Sequence, residues 1–422
     1  MLDIKYIREH KDEIKKNCEN RLSLANIDEL LSLDEQRRQA ISKIDALRSE
    51  RNLKSKGKPI PKEMEIMKQK RVKIGELETE LSKIEEKYNE ELFKVPNLTH
   101  PEVIASKNED DNQILEIIKE PTKFNFEPKD HVQLAEALDL IDFTKATEVT
   151  GTKFYYLKKE LALLEFTLIQ YALETLCKKG FTPIITPDLA KQEILKAMGF
   201  NPRGESTQVY NLENSDLSLI GTAEITMGGY HMGEVLKEAE LPKKYAAVSH
   251  CFRTEAGSYS KFSKGIFRVH QFTKIEMFQY VKPENSETAH KELLEIEKEI
   301  FKGLEIPFRV VDHCTADLGA PSIRTYDLEA WLPGKPNKEG KIGDWGEITS
   351  TSNCTDYQAR ALNIKYKKAD GSKEFIHMLN GTAIAITRAI IAIIENNQQA
   401  DGSIIIPEIL TKYMPNGLKV IK

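Results

Sequence analysis

Hydrophobic residues recur every three or four positions in two stretches near the N-terminus. The second stretch carries Met67, Ile74, Leu77, Leu81, Ile84, Tyr88 and Leu92. The first runs over residues 27–47 and is interrupted by polar residues at 34–39. This spacing is typical of two helices that pack along one seam as a coiled coil. The segment between them, 54–61, contains Gly57, Pro59 and Pro61 and cannot continue a helix. We therefore predict an antiparallel helical hairpin over about residues 27–93, with arms on the order of 40–45 Å long.

The rest of the chain mixes helical and strand-like patterns. We predict a helix at 161–178 that ends at Gly180, strands at 182–187, 252–255 and 266–280, a polar loop at 256–265, and an apolar helix at 382–396. Strands that follow one another along the chain favour antiparallel pairing, so the predicted fold class is α+β. The proline-containing segment 96–101 predicts a boundary between an N-terminal domain, residues 1–100, and a second domain, residues 101–422.

Composition excludes several classes of protein. The 422 residues carry a net charge of −5, which argues against a uniformly basic nucleic-acid binder. No run of about 18 uncharged apolar residues predicts a membrane helix, and the charged N-terminus does not resemble a secretory signal. Five scattered cysteines predict a reducing cytoplasm and no structural zinc site. The sequence has neither a P-loop nor a Rossmann glycine motif, so a nucleotide would need a different binding fold.

Charge is sorted along the predicted hairpin. Residues 48–73, across the tip, contain ten Lys or Arg against three Glu, whereas residues 74–93 contain seven Glu against two Lys. A solvated coiled coil with incidental charge explains this pattern, and so does a basic tip that contacts a phosphate backbone. The candidate contacts at the tip are Arg48, Arg51, Lys54, Lys56, Lys58 and Lys62.

The strand predicted at 266–280 has one polar face. Alternation places Arg268, His270, Phe272, Lys274 and Glu276 together, and it pairs Arg253 with Glu255 on the preceding strand. Such a face is typical of an amphipathic strand in water. It also fits a binding platform, because a guanidinium group holds a phosphate and an aromatic ring stacks on a base. Arg388 inside an apolar helix must likewise find an anion or reach solvent.

Five sequence blocks, taken in order, resemble the signature of the seryl-tRNA synthetase family. They are Thr222-Ala-Glu224, Phe252-Arg-Thr-Glu-Ala-Gly-Ser258, Phe267-Arg-Val-His-Gln-Phe-Thr-Lys-Ile-Glu276, Glu347-Ile-Thr-Ser350, and Asn380-Gly-Thr382 with Arg388. The N-terminal hairpin is similar to that family's tRNA-binding arm, so the resemblance covers nearly the whole chain. Thr349 and Thr382 stand where the family commonly has Ser, and both keep a hydroxyl group.

The resemblance implies a class II aminoacyl-tRNA synthetase, with an antiparallel sheet flanked by helices and a homodimer interface built by the segments around Gly180. It implies a cytoplasmic ligase that activates L-serine with ATP and Mg²⁺ to seryl-adenylate and releases diphosphate. The seryl group then passes to the 3′ end of serine tRNA, and to selenocysteine tRNA where the cell contains one. Zinc and a membrane are not expected to take part.

The resemblance also assigns roles to individual residues. Those expected to bind ATP are Arg253, Thr254, Glu255, Arg268, Val269, Phe272, Glu347, Ile348, Thr349, Ser350 and Arg388. Those expected to bind serine are Thr222, Ala223, Glu224, Glu276, Asn380 and Thr382. Arg253, Arg388 and Glu276 are the expected catalytic residues, and Glu347 and Ser350 the expected magnesium ligands. Within the ATP set, Arg253 would hold the α-phosphate, Arg388 the γ-phosphate, Phe272 the adenine ring and Glu255 its amino group.

Two other functions compete with this one. A related enzyme could activate an amino acid and load it onto a carrier protein or small molecule, but such proteins generally lose the N-terminal arm, which this chain keeps. A non-catalytic RNA-binding or scaffold protein on the same fold should have lost Arg253, Glu276 or Arg388, and all three are present.

Overall fold

The computed structural model describes residues 1–54, 61–200, 208–256 and 262–422, and only the backbone at 53, 54 and 61–63. The chain divides into two compact units, Met1–Leu98 and Thr99–Lys422. Within the described ranges, no helix is long and apolar enough to cross a membrane.

The first unit is helical. Its helices are α1 (Ile4–Glu9), α2 (Lys11–Asn20), α3 (Ile27–Lys54) and α4 (Pro61–Lys94). Ion pairs Arg37–Glu85 (3.0 Å) and Arg48–Glu78 (2.8 Å) join α3 to α4 in antiparallel order, which confirms the predicted hairpin. The polar interruption does not break α3, because Asp34 is buried and pairs with Arg38 one turn further on (3.2 Å).

The second unit is built on one large sheet. Its strands are β1 (Gln113–Ile118), β2 (Ile141–Asp142), β3 (Tyr156–Leu157), β4 (Thr182–Ile185), β5 (Leu189–Lys191), β6 (Leu217–Leu219), β7 (Val235–Lys237), β8 (Lys243–Phe252), β9 (Gln271–Val281), β10 (Phe308–Asp312), β11 (Arg324–Pro336), β12 (Ile342–Asn353), β13 (Lys365–Lys367), β14 (Lys373–Phe375), β15 (His377–Ala385), β16 (Ile404–Ile405) and β17 (Val420–Ile421). Eight of them form a sheet in the order β1-β10-β11-β12-β15-β9-β8-β4. Its pairings are antiparallel except β4–β8, so the α+β class is confirmed. The remaining strands form small two- and three-stranded sheets.

Helices cover one face of the large sheet. The helices of this unit are α5 (His131–Ala137), α6 (Phe143–Thr150), α7 (Lys159–Lys178), α8 (Gln192–Ala197), α9 (Ala223–Gly229), α10 (Ser286–Gly303), α11 (Tyr357–Leu362), α12 (Ile386–Asn396) and α13 (Glu408–Thr411). The apolar sides of α7, α10 and α12 share one hydrophobic core with Ile275 and Met277 of β9. Because side chains alternate along a strand, Lys274 and Glu276 lie on the opposite face of the sheet.

Two sequence predictions about element boundaries were wrong. The β8–β9 ladder ends at the pair Phe252–Gln271, so residues 253–255 and 266–270 are not strand. One backbone bond still joins the two segments, from the N–H of Arg253 to the carbonyl of His270 (3.0 Å). Beyond it the partners differ: the N–H of Thr254 donates to Gln208 (3.1 Å) and that of His270 to Lys153 (3.1 Å). The predicted polar row of five side chains therefore holds only from Phe272 onward.

The apolar helix begins later than predicted. Residues 382–385 belong to β15, which pairs with β9, and α12 starts at Ile386. A continuous apolar run does not distinguish a buried strand from a buried helix, and pairing with β9 decides the outcome here.

Candidate functional site

A cavity of about 400 Å³ opens on the sheet face that carries Lys274 and Glu276. The predicted site residues that line it are Thr222, Glu224, Arg253, Glu255, Arg268, Val269, Phe272, Glu276, Glu347, Ile348, Thr349, Ser350, Asn380, Thr382 and Arg388. Two predicted residues are not part of the lining. Ala223 is fully buried at the start of α9, and Thr254 lies between two lining residues.

A β-bulge in β12 brings the two expected metal ligands to one face. Residues three apart on a regular strand point to opposite faces. In β12, however, Thr349 pairs with Leu328 and Glu347 pairs with Glu329, which leaves Ile348 as an extra residue. Ser350 pairs with Asp327, so Glu347 and Ser350 both face the cavity.

A second bulge lies in β15, at Ala383. Thr382 pairs with Glu276, whereas Ile384 pairs with Ile275. The extra residue turns Thr382 and Ala385 toward the cavity and sends Ile384 into the core on the other face. Bulges re-aim side chains in this way at many active sites.

The cavity floor is a buried network of polar groups. Lys274 forms an ion pair with Glu276, and its ammonium also donates to the hydroxyl of Thr382 (3.2 Å). The hydroxyl of Thr222 donates to the Glu276 carboxylate (3.2 Å). Lys274, which the sequence placed on the polar face without assigning it a ligand, thus links two expected serine-binding residues.

Glu224 adjoins this network. Burial, together with the nearby carboxylate of Glu276, raises the pKa of Glu224 to about 7. The side-chain amide of Gln358 donates to the Glu224 carboxylate (2.9 Å). Gln358 is fully buried and was not predicted, because it lies 134 positions away on α11 and no local pattern connects the two.

An aromatic ring and three charged groups form a second part of the cavity. The Arg253 guanidinium lies 5.4 Å from the centre of the Phe272 ring, and its Nε donates to the carbonyl of Gly221 (3.3 Å). Arg268 forms an ion pair with Glu255 (3.0 Å). The backbone of Glu255 has φ = +51°, a strained conformation that turns the chain at the end of the ladder.

Arg388 has the anionic partner that its position in an apolar helix requires. Its Nη1 pairs with Glu347 Oε1 (2.8 Å), and the guanidinium lies 5.0 Å from the Phe267 ring centre. Burial opposes ionisation of Glu347, but Arg388 outweighs it and lowers the pKa of that carboxyl.

His313 is a further lining residue that we did not predict. Its Nε2 lies 2.9 Å from Asp327 Oδ2, and its Nδ1 lies 3.2 Å from the carbonyl of Asp317. Burial disfavours the imidazolium, but Asp327 and Asp317 outweigh it and raise the pKa of His313 to about 10. A buried cation therefore stands beside the strand that carries Ser350.

The arm tip is only partly described. Arg48 pairs with Glu78, and Arg51 is partly exposed. Lys56 and Lys58, and the side chains of Lys54 and Lys62, lie outside the described residues.

In the described parts of the chain, no group of three or more His, Cys, Asp or Glu side chains is arranged to hold a metal ion.

Both units match known families. Residues 1–99 match the seryl-tRNA synthetase N-terminal domain, and residues 208–397 match the tRNA synthetase class II core domain (G, H, P, S and T). Serine–tRNA ligase from Treponema denticola is 51% identical over 420 residues, covering 98% of each chain. The same enzyme from Rubrobacter xylanophilus is 47% identical at 98% coverage of each chain.

Solved structures of the same family resemble this chain over its full length. The crystal structure of seryl-tRNA synthetase from Pyrococcus horikoshii complexed with ATP has a TM-score of 0.88 and 39% identity, covering 100% of this chain and 99% of that one. The cytoplasmic serine–tRNA ligase of Naegleria fowleri in complex with AMP has a TM-score of 0.84 and 33% identity, at the same coverage. The chain belongs to the seryl-tRNA synthetase family.

Proposed function

We propose that the chain activates L-serine with ATP to seryl-adenylate and then transfers the seryl group from the adenylate to the 3′-terminal adenosine of serine tRNA, with release of AMP. In the first step a carboxylate oxygen of serine attacks the α-phosphorus of ATP. The bond from that phosphorus to the bridging oxygen breaks, and diphosphate leaves. The serine carboxylate is already ionised at neutral pH, so this step requires no general base.

One observation supports this proposal most strongly: a single cavity holds both a buried polar network and an aromatic–guanidinium pair. Phe272 offers a face for adenine, and Arg253 beside it offers a charge for the α-phosphate. In this proposal Arg388 contacts the γ-phosphate and Glu255 accepts from the adenine amino group. These fixed charges stabilise the negative charge that develops on the phosphate oxygens.

The buried network provides the serine site in this proposal. Glu276 and Glu224 attract the ammonium group of the amino acid, and Thr222 and Thr382 offer hydroxyl groups around it. Because these groups are shielded from water, a ligand that does not complete their hydrogen bonds leaves them unpaired at a free-energy cost. This favours an amino acid with a small polar side chain.

Magnesium fits the phosphate end of the cavity. The bulge at Ile348 directs a carboxylate and a hydroxyl oxygen, Glu347 and Ser350, to one face, and hard oxygen donors suit this ion. We propose these two residues as its ligands. Magnesium, when bound with ATP, neutralises phosphate charge, and Arg388 holds the Glu347 carboxylate in place.

Exposed apolar residues support the proposed homodimer. Phe166 on α7 is 71% exposed, and Ile185 on β4 is 86% exposed. Strand β4 is an edge of the large sheet, so both its backbone and its apolar side chain are open to a partner. We propose that a second copy covers this surface.

The arm is the proposed tRNA-binding element. Its support is the excess of positive charge over residues 48–73. Family membership also supports the cytoplasm as the place of action and selenocysteine tRNA as a second substrate.

The direct test of the proposed function is aminoacylation of a serine tRNA transcript with labelled serine. Accumulation of ATP-dependent label on the tRNA supports the proposal, and adenylate formation without transfer would favour a carrier-loading enzyme.

A further inference from the structure

The segment 266–269 carries Phe267, Arg268 and Val269 into the cavity without belonging to a strand. Ladder hydrogen bonds therefore do not fix its position. Ile266 at its start is fully buried. The contacts of its backbone with neighbouring elements decide where the three lining side chains lie.

His131 on α5 is the main contact. The backbone N–H of Ile266 points at Nε2 of the imidazole (3.3 Å), and Nδ1 of the same ring lies 2.7 Å from the Glu395 carboxylate on α12. The side chains of His131 and Glu395 are 1% and 2% exposed, so water does not compete for these bonds. One buried ring thus joins the segment to α12.

The hydrogen-bonding partners define the state of this ring. A backbone N–H can only donate, so Nε2 must accept and carries no proton. The proton of a neutral imidazole then lies on Nδ1 and is donated to Glu395. The Glu395 carboxylate also accepts from the backbone N–H groups of His131 (3.0 Å) and Gly334 (2.8 Å), which stabilises its charge.

Two glycines allow the close approach. Gly265 has φ = +56°, and a Cβ added there would lie 2.1 Å from His131 Nε2. A Cβ added at Gly334 would lie 2.3 Å from the Cβ of Asp130. The segment therefore approaches the imidazole closely at Gly265, and β11 approaches Asp130, the residue before α5, at Gly334.

Helix α12 contacts the segment at a second point. Arg388 and Glu395 lie seven positions apart, which places them on the same face of the helix two turns from each other. Arg388 packs over Phe267, and Glu395 holds His131, which in turn holds Ile266. The helix that carries the expected γ-phosphate residue thus also sets the position of the other lining side chains.

A surface anchor reinforces the buried one. Lys264, just before the segment, forms an ion pair with Asp130, whose other carboxylate oxygen accepts from the backbone N–H groups of Val132 and Gln133 in α5. The Lys264 side chain is 48% exposed. It can be changed without disturbing the core.

We propose that His131 is a positioning residue for ATP: its unprotonated Nε2 orients the segment 266–269, and its Nδ1–H couples that segment to α12 through Glu395. The inference rests on the proposed function only in treating this end of the cavity as the ATP site. It predicts that loss of the hydrogen bond to Ile266 raises the KM for ATP and leaves the KM for serine unchanged.

Two substitutions at His131 test the roles of its two ring nitrogens separately. The side-chain amide of His131→Asn reaches the position of Nδ1 and keeps the bond to Glu395, whereas the longer His131→Gln reaches the position of Nε2 and keeps the bond to Ile266. We expect the Asn variant to raise the KM for ATP by at least about tenfold, since a buried N–H is left unpaired. We expect the KM of the Asn variant for serine to stay within about twofold of the wild-type value. For the Gln variant, the KM values for ATP and for serine should both stay within about threefold of wild type. Lys264→Met, at the surface anchor, should raise the KM for ATP without changing that for serine.

Each assay is serine-dependent ATP–diphosphate exchange, read together with amide hydrogen exchange of a peptide spanning residues 262–270. The Asn variant should lose protection in that peptide and the Gln variant should keep it. Equal effects of Asn and Gln, an unchanged KM for ATP in the Asn variant, or parallel rises in both KM values would each overturn the proposal. If the Asn variant does not fold, Lys264→Met decides, and an unchanged KM for ATP in that variant overturns the proposal. If the wild-type protein shows no ATP–diphosphate exchange, the proposed function is contradicted instead. Amide hydrogen exchange of residues 262–270 would then still show whether His131 holds the segment.

Discussion

Lys274 and Glu276, two positions apart on β9, form an ion pair on the cavity floor with side chains only 8% and 2% exposed. Each charge depends on the other, because neither has access to enough water to be stabilised alone. The same ion pair therefore belongs to the proposed serine site and stabilises the folded sheet.

Replacing one member of this pair should therefore destabilise the protein. We expect Lys274→Met to lower the free energy of unfolding by about 3–5 kcal/mol, because Glu276 is left buried without its cation. Urea denaturation measures the change. The matched control is Lys373→Met on the short strand β14, an exposed position where we expect a change within about 0.5 kcal/mol. Equal stability of the two variants would show that the pair does not stabilise the sheet.

Glu224 should make stability depend on pH. Its folded-state pKa of about 7 lies above the value of 4.5 for an unperturbed Glu, so the folded state binds a proton that the unfolded state has lost between these values. Stability from this group is complete below about pH 4.5, falls as the pH rises toward 7, and then levels off. The loss is on the order of 3 kcal/mol.

The variant Glu224→Gln removes the titrating group. Urea denaturation at several pH values should show that the variant loses less stability than the wild type between pH 4.5 and 7. Glu136→Gln, at an exposed position on α5, serves as the control and should follow the wild-type curve. A difference between wild type and Glu224→Gln that does not vary with pH would contradict the raised pKa.

The guanidinium groups should matter for chemistry rather than for folding. We expect Arg253→Ala and Arg388→Ala each to slow serine-dependent ATP–diphosphate exchange by about 10²–10³-fold, the usual effect of losing one fixed charged contact in a transition state. Both proteins should remain folded and keep the oligomeric state of the wild type, as judged by circular dichroism and size-exclusion chromatography. Exchange near the wild-type rate in either variant would refute the role assigned to that residue.

The arm tip should affect tRNA and not adenylate formation. We expect the combined replacement of Lys54, Lys56, Lys58 and Lys62 by Glu to weaken binding of serine tRNA. Its affinity should also fall less steeply with salt, since each lost phosphate contact removes about 0.7–0.9 from the log–log slope. ATP–diphosphate exchange should stay within about twofold of wild type. Replacement of Lys83 and Lys87 by Glu, further along α4 from the tip, provides the control. Unchanged tRNA affinity and salt dependence would show that the tip is only a solvated end of the hairpin.

Local patterns predicted some of this structure well. The hairpin follows from apolar spacing within each helix, and its ends at Ile27 and Lys94 fall within a residue of the prediction. The shared face of Phe272, Lys274 and Glu276 follows from strand alternation. In both cases the positions that determine the element are neighbours along the chain.

Features that depend on distant residues could not be predicted in this way. Spacing alone places Glu347 and Ser350 on opposite faces, and the bulge that reunites them arises from pairing with β11. The pairs His131–Glu395 and Gln358–Glu224 join residues 264 and 134 positions apart. The resemblance to a known family supplied most of the lining residues, but these supporting contacts required the folded structure.

ATP–diphosphate exchange measured across the amino acids tests the proposed serine site directly. The buried hydroxyl and carboxylate groups around Glu276 should make serine the preferred substrate. Alanine leaves those groups unpaired, and sites built for a hydroxyl reject such analogues by about 10⁴–10⁵-fold. Threonine keeps the hydroxyl and is excluded only by shape, so we expect serine first, threonine a distant second and alanine lower still. Exchange that is fastest with another amino acid, or faster with alanine than with threonine, would contradict this account of the cavity.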